Sequence, residues 1–378
     1  MKIIIKIMII IIIVANVTVL SQIKHQLNAN IYSRLRQAKY IEEVFEADSV
    51  VLKIPIEYYY NIPKTFIVTK DNKIFMSFKK GSEVLEFNSE GKFIKAFGRR
   101  GEGPGEFIRP WHIDVMNDKL IVGDETLRRL TIYNIDGALE KTEKISHPIN
   151  SLNVISDSLI VMDDYYNARI NKKRDIYIHN ALGEILYKFG KLTKMAKKLY
   201  VAPVHSNWEL ITTYENDIYV GEFSNYKLIH YKNNGRMIKV FGKCSAKWNS
   251  MINTNIKKMT FSDLKGRKLQ QFLEQMKECS RVYWINSCDP GIVLMYYGLN
   301  KKNRALIAIY DLDGNLINVG LKIKSKVRNG TDNSILVVPV KNRAFGLYIE
   351  TDRNNDILNN NKIVNIKFVT FMIPPINN

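Results

Sequence analysis

Short apolar stretches with strict alternation recur along this chain, and each is followed by a polar turn. One phrase appears five times: an alternating strand, a turn closing on Gly, then a second strand that often ends in Phe-Gly. The copies are VLEFNSEGKFIKAFG (84–98), LTIYNIDGALEKT (130–142), IYIHNALGEILYKFG (176–190), LIHYKNNGRMIKVFG (228–242) and LIAIYDLDGNLINVG (306–320). A period of two is the strand period, and a turn that needs positive φ takes Gly, so each phrase predicts a β-hairpin. The turn glycines are Gly91, Gly137, Gly183, Gly235 and Gly314. Their first two spacings are equal (137−91 = 46 and 183−137 = 46), and the later ones stretch to 52 and 79.

A further short strand precedes each hairpin: NKIFMSF (72–78), DKLIVGD (118–124), DSLIVMD (157–163), NDIYVGE (216–222) and GIVLMYY (291–297). A sixth, RAFGLYIE (343–350), leads into a poor hairpin through 356–371. One four-stranded sheet cannot bury both faces, so such units must stack around an axis. The pattern predicts an all-β chain: a six-bladed β-propeller of four-stranded antiparallel blades over 40–372. The strand near Val50–Ile56 is expected to close the ring by pairing in the last blade. The stretch 244–285 interrupts the repeat. Within it FSDLKGRKLQQFLEQMKE has helical spacing behind a Ser262 cap, which predicts a partly helical insertion between blades four and five. Residues 22–39 form a lead-in and 373–378 a tail.

The first 21 residues read differently. Lys2 and Lys6 precede an apolar run from Ile7 to Ala15, and Ser21 with Val19 suits cleavage before Gln22. This is the layout of a secretory signal, shorter than the ~20 apolar residues that span a bilayer. Export to the periplasm, cell surface or medium is the expectation, with an uncleaved N-terminal anchor as the alternative. No later segment is long and apolar enough to span. Export permits disulfides, yet the three cysteines (Cys244, Cys279, Cys288) make an odd number. Cys279 and Cys288 could pair across a short loop or stay as thiols.

The segment FGRRGEGPGEFIRPWHIDV (97–115) resembles a blade junction of NHL-type propellers, in the exported bacterial six-bladed β-propeller family. Phe97, Gly98, Gly101, Gly103, Pro104, Gly105, Glu106 and Phe107 carry the resemblance; elsewhere it decays to Phe189-Gly190 and Phe241-Gly242. It implies fold and export rather than an activity. Physically, the glycines let the chain turn from an outer strand back to the axis, and Phe107 can plug between blades. A phosphate cradle is the rival reading, but nucleotide binding by a P-loop or Rossmann mechanism is rejected, because the segment precedes a strand, lacks the Lys-Ser/Thr of a P-loop and has the wrong spacing for a Rossmann fingerprint.

Lys and Arg number 56 against 37 Asp and Glu, a formal charge of +19. Such a balance favours acidic partners, and lysines spread over the surface explain it equally. Topology sharpens the question, since blade junctions and second-to-third-strand turns open on one face. That face gathers Arg99, Arg100, Arg128, Arg129 and Arg174 with Tyr165 and Tyr166, diluted by Glu102, Glu106, Asp124, Glu125, Asp163, Asp164 and Glu222. These residues are the candidate ligand site, for an anionic glycan or an envelope protein; export argues against nucleic acid. A monomer or a complex subunit fits equally.

Catalytic chemistry is harder to assemble. His112 begins an innermost strand and is the axial candidate. The six histidines form no metal spacing, no nucleophile context appears, and no catalytic residue is assigned. Asp311, Asp313, Gly314 and Asn315 have too few ligands for an EF-hand, and a hairpin turn accounts for them. No cofactor is assigned, with calcium the one left open. The resulting reading is a non-catalytic binding or scaffold propeller. The alternative is a metal-dependent hydrolase or lyase with its site at the central channel.

Overall fold

The computed structural model describes residues 29–58, 63–69, 71–164, 174–190, 210–222, 225–243, 267, 280–288, 291–298, 306–322, 340–341, 347–350 and 365–372. A helix over 29–37 leads into strand β1 (Glu46–Leu52). The first blade follows as β2 (Pro63–Val68), β3 (Ile74–Phe78), β4 (Val84–Phe87) and β5 (Phe93–Phe97). The second is β6 (His112–Met116), β7 (Lys119–Asp124), β8 (Arg129–Asn134) and β9 (Leu139–Lys144). The third is β10 (Ser151–Ser156), β11 (Leu159–Asp164), β12 (Asp175–Asn180) and β13 (Ile185–Phe189). The fourth is β14 (Ile211–Tyr214), β15 (Asp217–Glu222), β16 (Asn225–Lys232) and β17 (Met237–Phe241). The fifth is β18 (Arg281–Cys288), β19 (Ile292–Gly298), β20 (Leu306–Asp311) and β21 (Leu316–Leu321). Last come β22 (Val340–Lys341), β23 (Leu347–Glu350) and β24 (Asn365–Met372).

Each of the first five blades is an antiparallel meander in chain order. The sixth is the sheet β1-β24-β23, in which Glu46 pairs with Met372 and Leu52 with Ile366. The N-terminal strand thus closes the ring as its outermost element, a few residues earlier than Val50–Ile56. The strand β22 lies beside β2 in parallel, with Phe66 opposite Val340. The first strands β2, β6, β10, β14 and β18 contact one another in turn, and β22 touches both β18 and β2. Six innermost strands therefore encircle the axis.

In the first five blades the strand ahead of the hairpin is second and the innermost strand lies one step earlier in the chain, as expected at His112. The outermost strand of the sixth sheet is β1, the N-terminal strand expected to pair there. The structure corrects one boundary. Residues 281–285 belong to β18, not to the insertion. Of the remaining insertion only Arg267, which is helical, and Ser280, buried just ahead of β18, are described. The lead-in is part of the domain: Ile31 and Leu35 are buried with Trp284, Leu294 and Ile309 of blade five. Cys288 is buried, while Cys244 and Cys279 lie outside the described residues.

The repeated phrase has a packing cause. The Phe that ends one blade meets the Tyr four residues before the next blade's turn glycine. Phe97 meets Tyr133 at 5.5 Å, Phe189 meets Tyr231 at 4.8 Å and Phe241 meets Tyr310 at 5.2 Å between ring centroids. Two of these Phe rings also lie against the next blade's turn glycine. A Cβ on Gly235 would stand 2.6 Å from the Phe189 ring, and one on Gly314 the same distance from Phe241. Both glycines also have positive φ, 79° and 71°. Turn glycine and terminal Phe are two halves of one blade-to-blade contact. Gly314→Ala must strain its backbone and push Phe241 aside, so we expect a loss of ~2 kcal/mol from strain plus overpacking. Urea unfolding checks this, and an unchanged midpoint would refute the packing account.

Candidate ligand-binding face

The Gly-rich junction between blades one and two is built around Phe107, which is fully buried between them with Ile67, Phe97, Ile113 and Tyr133. Gly98 has φ 80° because the Phe107 ring occupies the place of a side chain. The Phe107 amide donates to the Arg99 carbonyl at 2.8 Å, and Tyr133 Oη donates to the Gly105 carbonyl at 2.8 Å. Glu106 closes the loop: its carboxylate accepts from the Gly103 amide at 2.8 Å and pairs with Arg99 at 2.9 Å. These donors hold its carboxyl below the usual carboxylate range.

Asp124 ends β7 fully buried, and its carboxylate accepts four backbone N–H groups. Oδ2 takes those of Ile108 and Arg109, and Oδ1 takes those of Thr126 and Leu127, all at 2.8–2.9 Å. This one side chain ties the junction to the second-to-third-strand turn. The two loop types do share one face, as the topology requires.

The candidate residues separate into three groups. Arg99, Arg100 and Arg128 are exposed on this face. Among the described residues Arg100 and Arg128 have no ion-pair partner, and Arg99 holds Glu106. Arg129 is part of the frame, since its guanidinium donates to the Glu102 and Glu106 carbonyls at 2.5 and 2.8 Å. Arg174 is not on the surface. It is 1% exposed, chelates Asp163 through Nε and Nη2, and reaches the Gly221 carbonyl of blade four at 2.5 Å. A guanidinium so enclosed holds blades together and cannot meet a ligand. Tyr165 and Tyr166 lie outside the described residues.

His112 is on an innermost strand as expected, yet it is only 2% exposed. It sits opposite Gly123, in the space that Ile149 and Leu152 of blade three also border. Asp311 accepts both the backbone and side-chain amides of Asn315, at 2.8 and 2.9 Å, as a turn requires. Among the described residues no three His, Cys, Asp or Glu side chains gather as metal ligands would.

Two features escaped the sequence reading. One is a corner around Trp111. Its indole N–H donates to the Lys79 carbonyl at 3.1 Å, and its own carbonyl accepts from Thr65 Oγ1 at 2.6 Å. Lys64 Nζ stands 5.6 Å and the Arg109 guanidinium 5.2 Å from its ring centroid. The run Arg109-Pro110-Trp111 was the available signal. The other is a buried histidine pair, with His147 Nε2 and His179 Nε2 2.8 Å apart.

Six innermost strands and sequential four-stranded blades define the class: this is a six-bladed β-propeller. The chain belongs to the family described as 6-bladed beta-propeller, whose model matches residues 62–311. A candidate exported protein from Bacteroides fragilis superimposes with a TM-score of 0.58 at 14% identity, covering 88% of this chain and 96% of that one. A DUF4221-family member from Bacteroides vulgatus superimposes with a TM-score of 0.50 at 11% identity, covering 87% and 98%. At these identities the likeness speaks for the fold alone. No curated protein matches the sequence. Among the described residues no helix is long and apolar enough to cross a membrane.

Proposed function

We propose that this propeller is an exported, non-catalytic binding module that takes an anionic glycan on its junction face. One observation carries the reading: the Asp124 and Glu106 carboxylates are consumed inside this face, while Arg100 and Arg128 are exposed, with Glu102 as an exposed carboxylate beside them. Asp124 is spent on four backbone amides and Glu106 on the Gly103 amide and Arg99. Arg100 and Arg128 stay exposed with no ion-pair partner among the described residues. Exposed charge of one sign raises the local concentration of an oppositely charged ligand and speeds its encounter. The basic start at Lys2 and Lys6 and the short apolar run behind it support export.

The test is calorimetric titration of the purified propeller with polygalacturonate, dextran sulfate and neutral dextran. An acidic polymer should bind, dextran should not, and 0.5 M salt should weaken the binding by screening. Arg100→Ala with Arg128→Ala should weaken it about threefold, as rim charges do. Equal binding of dextran, or no binding of either acidic polymer, would overturn the reading.

A further inference from the structure

The outer strands of the blades differ in how they meet solvent. β9 ends blade two with Glu140, Lys141, Glu143 and Lys144, and the ion pairs Lys119–Glu140 and Lys141–Glu143 run along it. Charge of this kind is one way a sheet edge avoids pairing with another chain. In β17 of blade four the one charged residue is Lys239. Met237, Ile238 and Val240 are 43%, 39% and 48% exposed, and among the described residues no strand pairs with the outer side of β17. The backbone donors and acceptors on that side are a template for one more strand.

Charge decides which strand. The β16–β17 hairpin, 225–243, holds Lys227, Lys232, Arg236, Lys239 and Lys243 and no Asp or Glu. Lys232 is committed to Asp217 at 2.8 Å and Lys227 to the Gly242 carbonyl at 2.7 Å. Arg236 is exposed with no ion-pair partner among the described residues, and Lys239 stands 4.0 Å from Asp313. The edge of blade three is as apolar, with Ile185, Leu186 and Tyr187 exposed, but its hairpin sets Asp175 and Glu184 against Lys188. Like-signed occupants of the blade-four edge meet repulsion. The insertion 244–279 has seven basic residues and three acidic ones, and a second copy brings its own Lys239 and a charge of +19. A lipid surface meets the side chains but leaves the backbone groups of the edge unpaired.

We infer that the outer edge of blade four is a docking site for an extended acidic segment of another protein, which adds to the sheet beyond β17. Main-chain hydrogen bonds hold it, its apolar positions cover Ile238 and Val240, and its carboxylates pair with Arg236 and Lys239. The site is separate from the junction face and does not rest on the glycan reading.

The probe is a short fluorescein-labelled peptide alternating Glu and Val, followed by anisotropy on the purified propeller. A Lys/Val peptide and a Glu/Val peptide N-methylated at alternate residues stand beside it. The Glu/Val peptide should bind, and the other two should bind about tenfold more weakly or not at all. Binding should slow hydrogen exchange in 236–243. Arg236→Glu with Lys239→Glu should reverse the order, so that the Lys/Val peptide is preferred, with the thermal midpoint unchanged. If that variant fails to fold, Arg236→Gln with Lys239→Gln replaces it and should lose the preference for Glu over Lys. Failure of the Glu/Val peptide to bind, or an unchanged order in the variant, overturns the inference. So does equal binding of the N-methylated peptide, or unslowed exchange in 236–243. A wild-type dimer that Val240→Lys dissociates would assign the edge to a second copy. Binding to phosphatidylglycerol vesicles in place of the peptide would assign it to lipid, and either result overturns the inference too.

Discussion

Arg174→Met should cost on the order of 3–5 kcal/mol, the usual range for breaking one side of a buried ion pair. The side chain of Arg174 is 1% exposed and that of Asp163 5%, and their shortest contact is 2.6 Å. Removing the guanidinium strands the Asp163 carboxylate where water cannot reach it. It also deprives the Gly221 carbonyl of its donor, and that carbonyl belongs to the neighbouring blade. The double variant Asp163→Leu with Arg174→Met should recover much of the loss, because no lone charge remains. Guanidinium denaturation of the four proteins gives the coupling. A single variant within ~1 kcal/mol of wild type would show that the pair is not what holds blades three and four together.

The second large effect is on acid stability. His147 and His179 are 4% and 1% exposed, and each aims Nδ1 at a carbonyl, Pro148 and Gly183, at 2.8 Å. Carbonyls only accept, so the three contacts of the pair ask for three hydrogens. Two neutral imidazoles hold two. One contact must stay empty or a buried charge must form, and a missing hydrogen bond costs ~1–3 kcal/mol against several for an enclosed ion. Burial accordingly pushes His147 down to about 4 and lowers His179 too. The groups around His147 are Tyr177, stacked at 3.7 Å, with Lys188 opposing a further charge and Asp175 favouring it.

The sign follows directly. The unfolded chain takes up the proton near pH 6.5 and the folded chain only near 4, so stability is full above 6.5 and falls as the pH drops between them. His147 alone accounts for a loss of about 3 kcal/mol. His179 occupies the position that is Tyr133, Tyr231 or Tyr310 in blades two, four and five. His147→Phe with His179→Tyr should therefore flatten that part of the curve. Thermal midpoints at pH 7.5 and 4.5 for both proteins are the measurement. A variant as acid-sensitive as wild type would remove the pair from the explanation.

Outer hairpins were legible because their turns need Gly91, Gly137, Gly183, Gly235 and Gly314 and their last strands carry polar, largely exposed positions, as in β9, β13 and β17. Innermost strands were not. In β2 every residue is buried, Lys64 and Thr65 included, so no polar face marks the period. In β18 the polar run Asn286-Ser287 read as loop, whereas Ser287 bonds Thr212 at 2.8 Å across to blade four. Arg174 follows Lys172 and Lys173 and so looked like rim. Only the fold shows that it turns inward to Asp163, eleven residues earlier. The Trp111 corner unites Lys64 and Arg109, 45 positions apart (109−64 = 45), which no local pattern reveals.

The pairing of Glu46 with Met372 joins residues 326 positions apart (372−46 = 326). A ribosome making this chain releases β1 long before it makes β24. Until then β1 has no neighbour in its sheet and the ring has a gap. Closing so long a loop adds little to the final free energy, since each doubling costs only ~0.6 kcal/mol. It weighs on the rate instead, because contacts of such high order form slowly. Completion of the ring thus waits until β24 has been made and has left the ribosome.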